Sequence, residues 1–82
     1  MQRNGWLQEP KTKNTKRFHL DEKSWFRHPK VFIDTGRPLP NEPALLKTRS
    51  YVALREAQKE WMKLKEEGWR NVRPQWGSET EA

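Results

Sequence analysis

Three kinds of hydrophobic spacing follow one another along this chain, and only the last is unambiguous. Ala53, Leu54, Ala57, Trp61 and Leu64 fall within about 100° of a helical wheel, with Glu56, Lys59, Lys63 and Glu67 opposite. The residues between are almost wholly strong helix formers, and none is β-branched. Gly68 stands where a left-handed cap is wanted, with Trp69 able to fold back onto the last turn. This predicts an amphipathic helix over about 53–67. Its start is less defined: Ser50 is the nearest capping residue, but beginning there puts Val52 on the polar side. Leu54, Ala57, Trp61 and Leu64 should be buried, and Met62, at the edge of the stripe beside Arg55 and Gln58, should be exposed.

Before the helix the spacing is that of strands. Lys30-Val31-Phe32-Ile33-Asp34 is the best candidate, with Thr35-Gly36 as its expected stop. Arg37 to Pro43 holds three prolines, which predicts a stiff, extended connection. Leu45 to Val52 fits a strand with Leu46, Thr48, Ser50 and Val52 on one face better than it fits a helix. Asn4-Gly5 reads as a turn, ahead of a loose hairpin with strands near Trp6 and Phe18 and a lysine-rich tip between them. Trp69 to Arg73 reads as a short closing strand before Pro74. The expected fold is α+β: a three- or four-stranded, mostly antiparallel sheet with the helix packed on one face, a single domain over 1–77 and an acidic tail at 78–82.

Composition makes such a fold marginal. Of 82 residues, 32% are hydrophobic and 34% charged, near the border with disorder. Five tryptophans compensate, since each can bury roughly 150–250 Å². There is no cysteine, hence no disulfide and no thiolate chemistry. The first residues lack the apolar run of a secretory signal and no stretch is long enough to span a membrane, so a cytosolic protein is expected. The net charge of +6 is unevenly placed: residues 1–50 carry 11 Lys and Arg against 5 Asp and Glu, residues 51–82 carry 6 of each.

Gly5-Trp6-Leu7, Gly36-Arg37-Pro38-Leu39-Pro40, Leu45-Leu46-Lys47-Thr48-Arg49, then Ala57, Trp61, Leu64, Gly68-Trp69 and Pro74-Gln75-Trp76 together resemble a family of short uncharacterised proteins from marine cyanobacteria, a domain of unknown function. The likeness runs over nearly the whole chain. It implies a bacterial cytosolic setting and supplies no catalytic residues.

The residues that could carry function are mainly basic. Lys11, Lys13, Lys16, Arg17, Lys23, Arg27 and Lys30 are interleaved with Phe18, Trp25 and Phe26, as phosphate binding and base stacking require. A solvated face with its aromatics turned inward has the same composition. The 53–67 helix is too balanced in charge for a DNA-recognition helix. Arg37-Pro38-Leu39-Pro40-Asn41-Glu42-Pro43 matches a proline-rich ligand pattern, although a stiff connector explains it as well. His19, Asp21, Glu22 and His28 lack the spacing of a metal or acid–base site, and the glycines at 5, 36, 68 and 77 form no phosphate-binding loop. The sequence therefore points to a non-enzymatic accessory or adaptor protein without cofactor or metal. Lys11, Lys13, Lys16, Arg17, Lys23, Trp25, Arg27 and Lys30 would meet a protein partner, a larger assembly or a second copy. A small nucleic-acid-binding protein using the same residues, RNA- or ribosome-associated, is the alternative.

Overall fold

The computed structural model describes residues 4–24, 26–39 and 42–76, with the side chains of Asn4 and 42–47 left out. The elements run β1 (Asn4–Gln8), β2 (Thr15–Leu20), β3 (Lys30–Leu39), β4 (Glu42–Ala53), α1 (Leu54–Glu66) and β5 (Arg70–Asn71). The strands form one open sheet in the order β4-β3-β2-β1-β5, each neighbour antiparallel. This is the expected α+β arrangement, with five strands where three or four were expected because every candidate strand, the short closing one included, joins the sheet. The Trp69 to Arg73 segment supplies β5, pairing Asn71 with Leu7 and Arg70 with Gln8. The expected tail at 78–82 lies outside the described residues.

Alternation along the paired strands gives the sheet two different faces. Leu7, Phe18, Val31 and Ile33 point to one face and form the core with Ala57 and Leu64 of α1, while Leu20, Val52, Leu54, Trp61 and Trp69 pack around them. Ala57 and Leu64 are buried, Leu54 and Trp61 half-buried, and Met62 is exposed. Leu7, Phe18 and Val31 lose all their exposure, which at about 25 cal/mol per Å² makes them main contributors to stability. Trp61 meets Phe18 edge-on, with ring centroids 5.2 Å apart and planes at 83°.

Gly5 is not the turn that Asn4-Gly5 suggests. It lies inside β1 opposite Phe18, directly beneath Trp61. A Cβ at this position would stand 2.6 Å from Trp61 Cη2 and 2.7 Å from Cζ3, so the glycine lets an indole lie against the strand backbone.

Two further expectations are corrected at β3 and β4. Thr35-Gly36 does not end β3; the strand runs on to Leu39, and a register shift between Thr35 and Gly36 absorbs the irregularity as a bulge. The proline segment is extended, as expected, but its described residues are strand rather than a connection. Arg37 to Leu39 continues β3 and Glu42-Pro43 begins β4, while Pro40 and Asn41 lie outside the described residues. Pro38 and Pro43 are tolerated because β2 pairs with β3 only as far as Gly36 and β4 is an edge strand, leaving an N–H position that needs no partner.

The helix follows β4 with no loop, which is why no capping residue precedes it. Its N-cap is Ala53 with no side-chain bond; Ser50 remains in β4, and the first helical N–H, of Leu54, donates to Pro29 O at 3.0 Å, extending the β3–β4 ladder. The C-terminus is closed as predicted. Gly68 adopts φ +99°, its N–H donates to Lys65 O, and the Trp69 N–H donates to Leu64 O, the two bonds of a Schellman cap.

Candidate functional site

The second face of the sheet carries the chemistry. Cross-strand pairing lines up Tyr51, Phe32 and His19 in one row over β4, β3 and β2, and Arg49, Asp34, Arg17 and Trp6 in the next row over β4, β3, β2 and β1. Among the described residues no helix covers this face, because α1 packs on the opposite one. At the β1 side of this face Trp76 packs on Trp6 with centroids 4.6 Å apart, and Arg17 lies 5.4 Å over the Trp6 ring. Trp6 is buried there, 7% exposed.

The aromatic row is a continuous run of tilted ring contacts. His19 and Phe32 have centroids 5.2 Å apart and Phe32 and Tyr51 4.7 Å, with planes tilted by 31° and 37°. It opens to solvent at Tyr51, which is 48% exposed. The Tyr51 hydroxyl donates to Asp21 Oδ2 at 2.5 Å, which pins the ring, raises the phenol pKa and lowers that of the carboxyl. Lys30 Nζ sits 5.9 Å from the Tyr51 ring centre. Asp21, Lys23, Ser24, His28, Lys30 and Tyr51 line an open groove at this end of the row.

Asp34 anchors the second row. It has no exposure, and such a burial is tolerated only with partners. Arg49 engages it twice, Nε to Oδ1 at 2.6 Å and Nη2 to Oδ2 at 3.0 Å, and His19 Nε2 lies 3.1 Å from Oδ2. Burial alone would raise the Asp34 pKa; the bonds and charge of Arg49, with His19, outweigh it and hold the carboxyl below its ordinary value. The reciprocal bond raises the pKa of Arg49. His19 is shifted down, first by burial and then by the charge of Arg17, against the pull of Asp34. At neutral pH this assigns a neutral imidazole whose Nε2–H donates to Asp34. The Arg49 guanidinium also lies 4.8 Å over Phe32, tying the two rows together.

The basic candidates of the sequence do not form one surface. Lys11 and Lys13 are exposed on the 9–14 turn, which the Glu9 carboxylate braces by accepting from the N–H groups of Lys11 and Thr12. Lys23 and Arg27 stand in the 21–29 loop at the other end of β2, about 17 Å away at 3.4 Å per residue. Lys16 and Arg17, adjacent in sequence, point to opposite faces: Lys16 pairs with Glu60 of α1 at 3.3 Å, and Arg17 joins the open face. Arg17, Lys23 and Lys30 therefore gather with the open face and its groove. Phe18 is core, Phe26 is 84% exposed with Arg27 5.6 Å over its ring, and Trp25 lies outside the described residues.

Tyr51, Phe32, Arg49 and Asp34 belong to the site although sequence reasoning passed over them. The signal was present in the alternation of Val31-Phe32-Ile33-Asp34, where one set of positions is aliphatic and the other carries an aromatic and an acid. His19, considered for metal or acid–base work, pairs with Asp34. Among the described residues no group of three or more His, Cys, Asp or Glu could hold a metal ion, and no helix is long and apolar enough to cross a membrane.

These features define an α+β protein in which one helix covers one face of a five-stranded antiparallel sheet and a cation–aromatic network lines the other. The chain belongs to the family described as "Protein of unknown function (DUF1651)", which it matches over residues 4–76, a span that holds the whole sheet and the helix. No curated protein and no solved structure matches it.

Proposed function

We propose that this protein binds single-stranded nucleic acid across the open face of its sheet, without catalysis, in a marine cyanobacterial cytosol. The observation that carries this reading is the His19–Phe32–Tyr51 row, which opens to solvent at Tyr51 beside Lys30, with Lys23 lining the same groove. Unpaired bases stack on such rings and phosphates seek the flanking cations, whereas a paired duplex offers no free base faces. Three adjacent strands span about 10 Å, room for about three bases at a stacking rise of 3.4 Å. Among the described residues the exposed rings, Tyr51 and Phe26, both have cations beside them, which favours nucleic acid over an apolar protein partner.

The test is fluorescence anisotropy with labelled single-stranded RNA and DNA of mixed sequence, titrated at several salt concentrations. Affinity should fall with salt with a log–log slope of about −0.7 per phosphate engaged, and Tyr51→Ala should weaken binding by about 1–3 kcal/mol. The RNA and DNA arms decide which sugar is preferred. Absent or salt-independent binding overturns the proposal.

The accessory-protein reading has one observation of its own: Met62, 62% exposed on the outer side of α1 among Arg55, Gln58, Lys59, Lys63 and Glu66. A protein partner there should be lost with Met62→Glu, while nucleic-acid binding stays unchanged.

A further inference from the structure

We propose that Arg49, braced by Asp34, is a specificity-determining residue that selects guanine; this inference rests on the nucleic-acid reading above. Arg49 grips the carboxylate side-on, through Nε and Nη2, at 2.6 and 3.0 Å. A guanidinium has five N–H donors in a rigid plane, so a side-on grip leaves the far end free: both hydrogens of Nη1 and the second hydrogen of Nη2. Among the described residues nothing engages that end. Asp34 is wholly buried while the Arg49 side chain is 51% exposed, so the edge away from the carboxylate faces out of the protein.

Three contacts hold that fork in place: Asp34 along one edge, Phe32 at 4.8 Å beneath one face, and His19 fixing the other side of the Asp34 carboxylate at 3.1 Å. A fork fixed in this way is ready for two acceptors side by side at little cost in side-chain entropy. O6 and N7 of guanine present such a pair, while adenine has a donor in place of O6 and pyrimidines have no N7. A phosphate also offers paired acceptors. Here, however, the buried carboxylate offsets the charge of Arg49 and leaves its donor geometry intact, which disfavours the anion relative to the neutral base edge. Tyr51 lies two residues along the same face of β4, about 7 Å away, and gives the same base an exposed ring to stack on.

The experiment compares three single-stranded oligomers, in ribose and deoxyribose form: a pyrimidine tract with one central guanine, the same tract with 7-deazaguanine, and the same tract with adenine. The guanine oligomer should bind about tenfold more tightly than either of the others. Arg49→Lys keeps the charge but lacks the fork, so it should erase this ratio and leave the salt slope unchanged; a thermal melt checks that this exposed substitution remains folded. Asp34→Asn should shrink the ratio with Arg49 still present, an effect that altered stability alone does not produce. Equal binding of the guanine and 7-deazaguanine oligomers overturns the inference and leaves the single-strand reading standing. No binding of any oligomer overturns both.

Discussion

Replacing Gly5 with alanine adds one methyl group beneath Trp61. The new Cβ would lie 2.6 and 2.7 Å from two ring carbons, against the 3.5–4.0 Å of an ordinary contact, so the indole must retreat by about 1 Å. It cannot do so freely, because the same ring meets the fully buried Phe18 edge-on. Overpacking of this kind costs about 1–3 kcal/mol, and alanine returns about 0.5–1 kcal/mol through its smaller loss of chain freedom within a strand. The net loss is about 0.5–2 kcal/mol, and in a domain of this size each kcal/mol lowers the Tm by about 4–8 °C. Circular dichroism melts of Gly5→Ala should therefore show a fall of about 2–16 °C. In a Trp61→Leu background the clash disappears, and Gly5→Ala should be neutral or slightly stabilising. A Gly5→Ala protein that melts no lower than the parent, or that loses as much stability in the Trp61→Leu background as with the indole in place, would refute the close-approach argument.

At the other end of the helix, Gly68→Ala tests backbone strain without crowding, since nothing lies within 4 Å of the added Cβ and only the φ of +99° opposes it. A cost of about 1–2 kcal/mol is expected, with Gly68→Asn milder; equal melting points for glycine and alanine would contradict the cap. Acidification should weaken the fold in two steps. His19 has its folded pKa below 6.5, so the fold prefers the neutral ring, and stability falls as pH drops from above 6.5 through the lowered folded value. Asp34 is depressed below 3.8, so its contribution is full above about pH 4 and is lost as pH falls through the folded value. Urea midpoints measured from pH 8 to pH 3 should show His19→Gln removing the upper step and keeping the lower one; an unchanged upper step would show that another group carries it.

The elements that sequence reasoning located well are those specified by local interactions. The spacing of Ala53 to Leu64 defines one face of a helix, and Gly68 ends it because the left-handed cap needs a residue without a side chain. The Trp6 and Phe18 hairpin, the strand at Lys30 to Asp34 and the closing pair at Arg70-Asn71 were legible for the same reason. Where neighbours far along the chain decide, local signals misled. Asn4-Gly5 has the composition of a turn, yet Gly5 serves a tryptophan from the helix; Thr35-Gly36 has the composition of a stop, yet pairing with β4 carries β3 onward to Leu39.

Residue order was enough to specify a basic chain with five tryptophans that folds as a sheet with one amphipathic helix. Which residues share a surface was settled only by the fold. A run of cations from Lys11 to Lys30 looks continuous along the chain, but alternation along β2 sends Lys16 to the helix side and Arg17 to the open side, and the hairpin carries Lys11 and Lys13 to the far end. Cross-strand register, set by pairing between distant segments, instead joins His19, Phe32 and Tyr51, and beneath them Asp34 and Arg49. A period of two along each strand is readable locally; the partner that stands across the ladder is not.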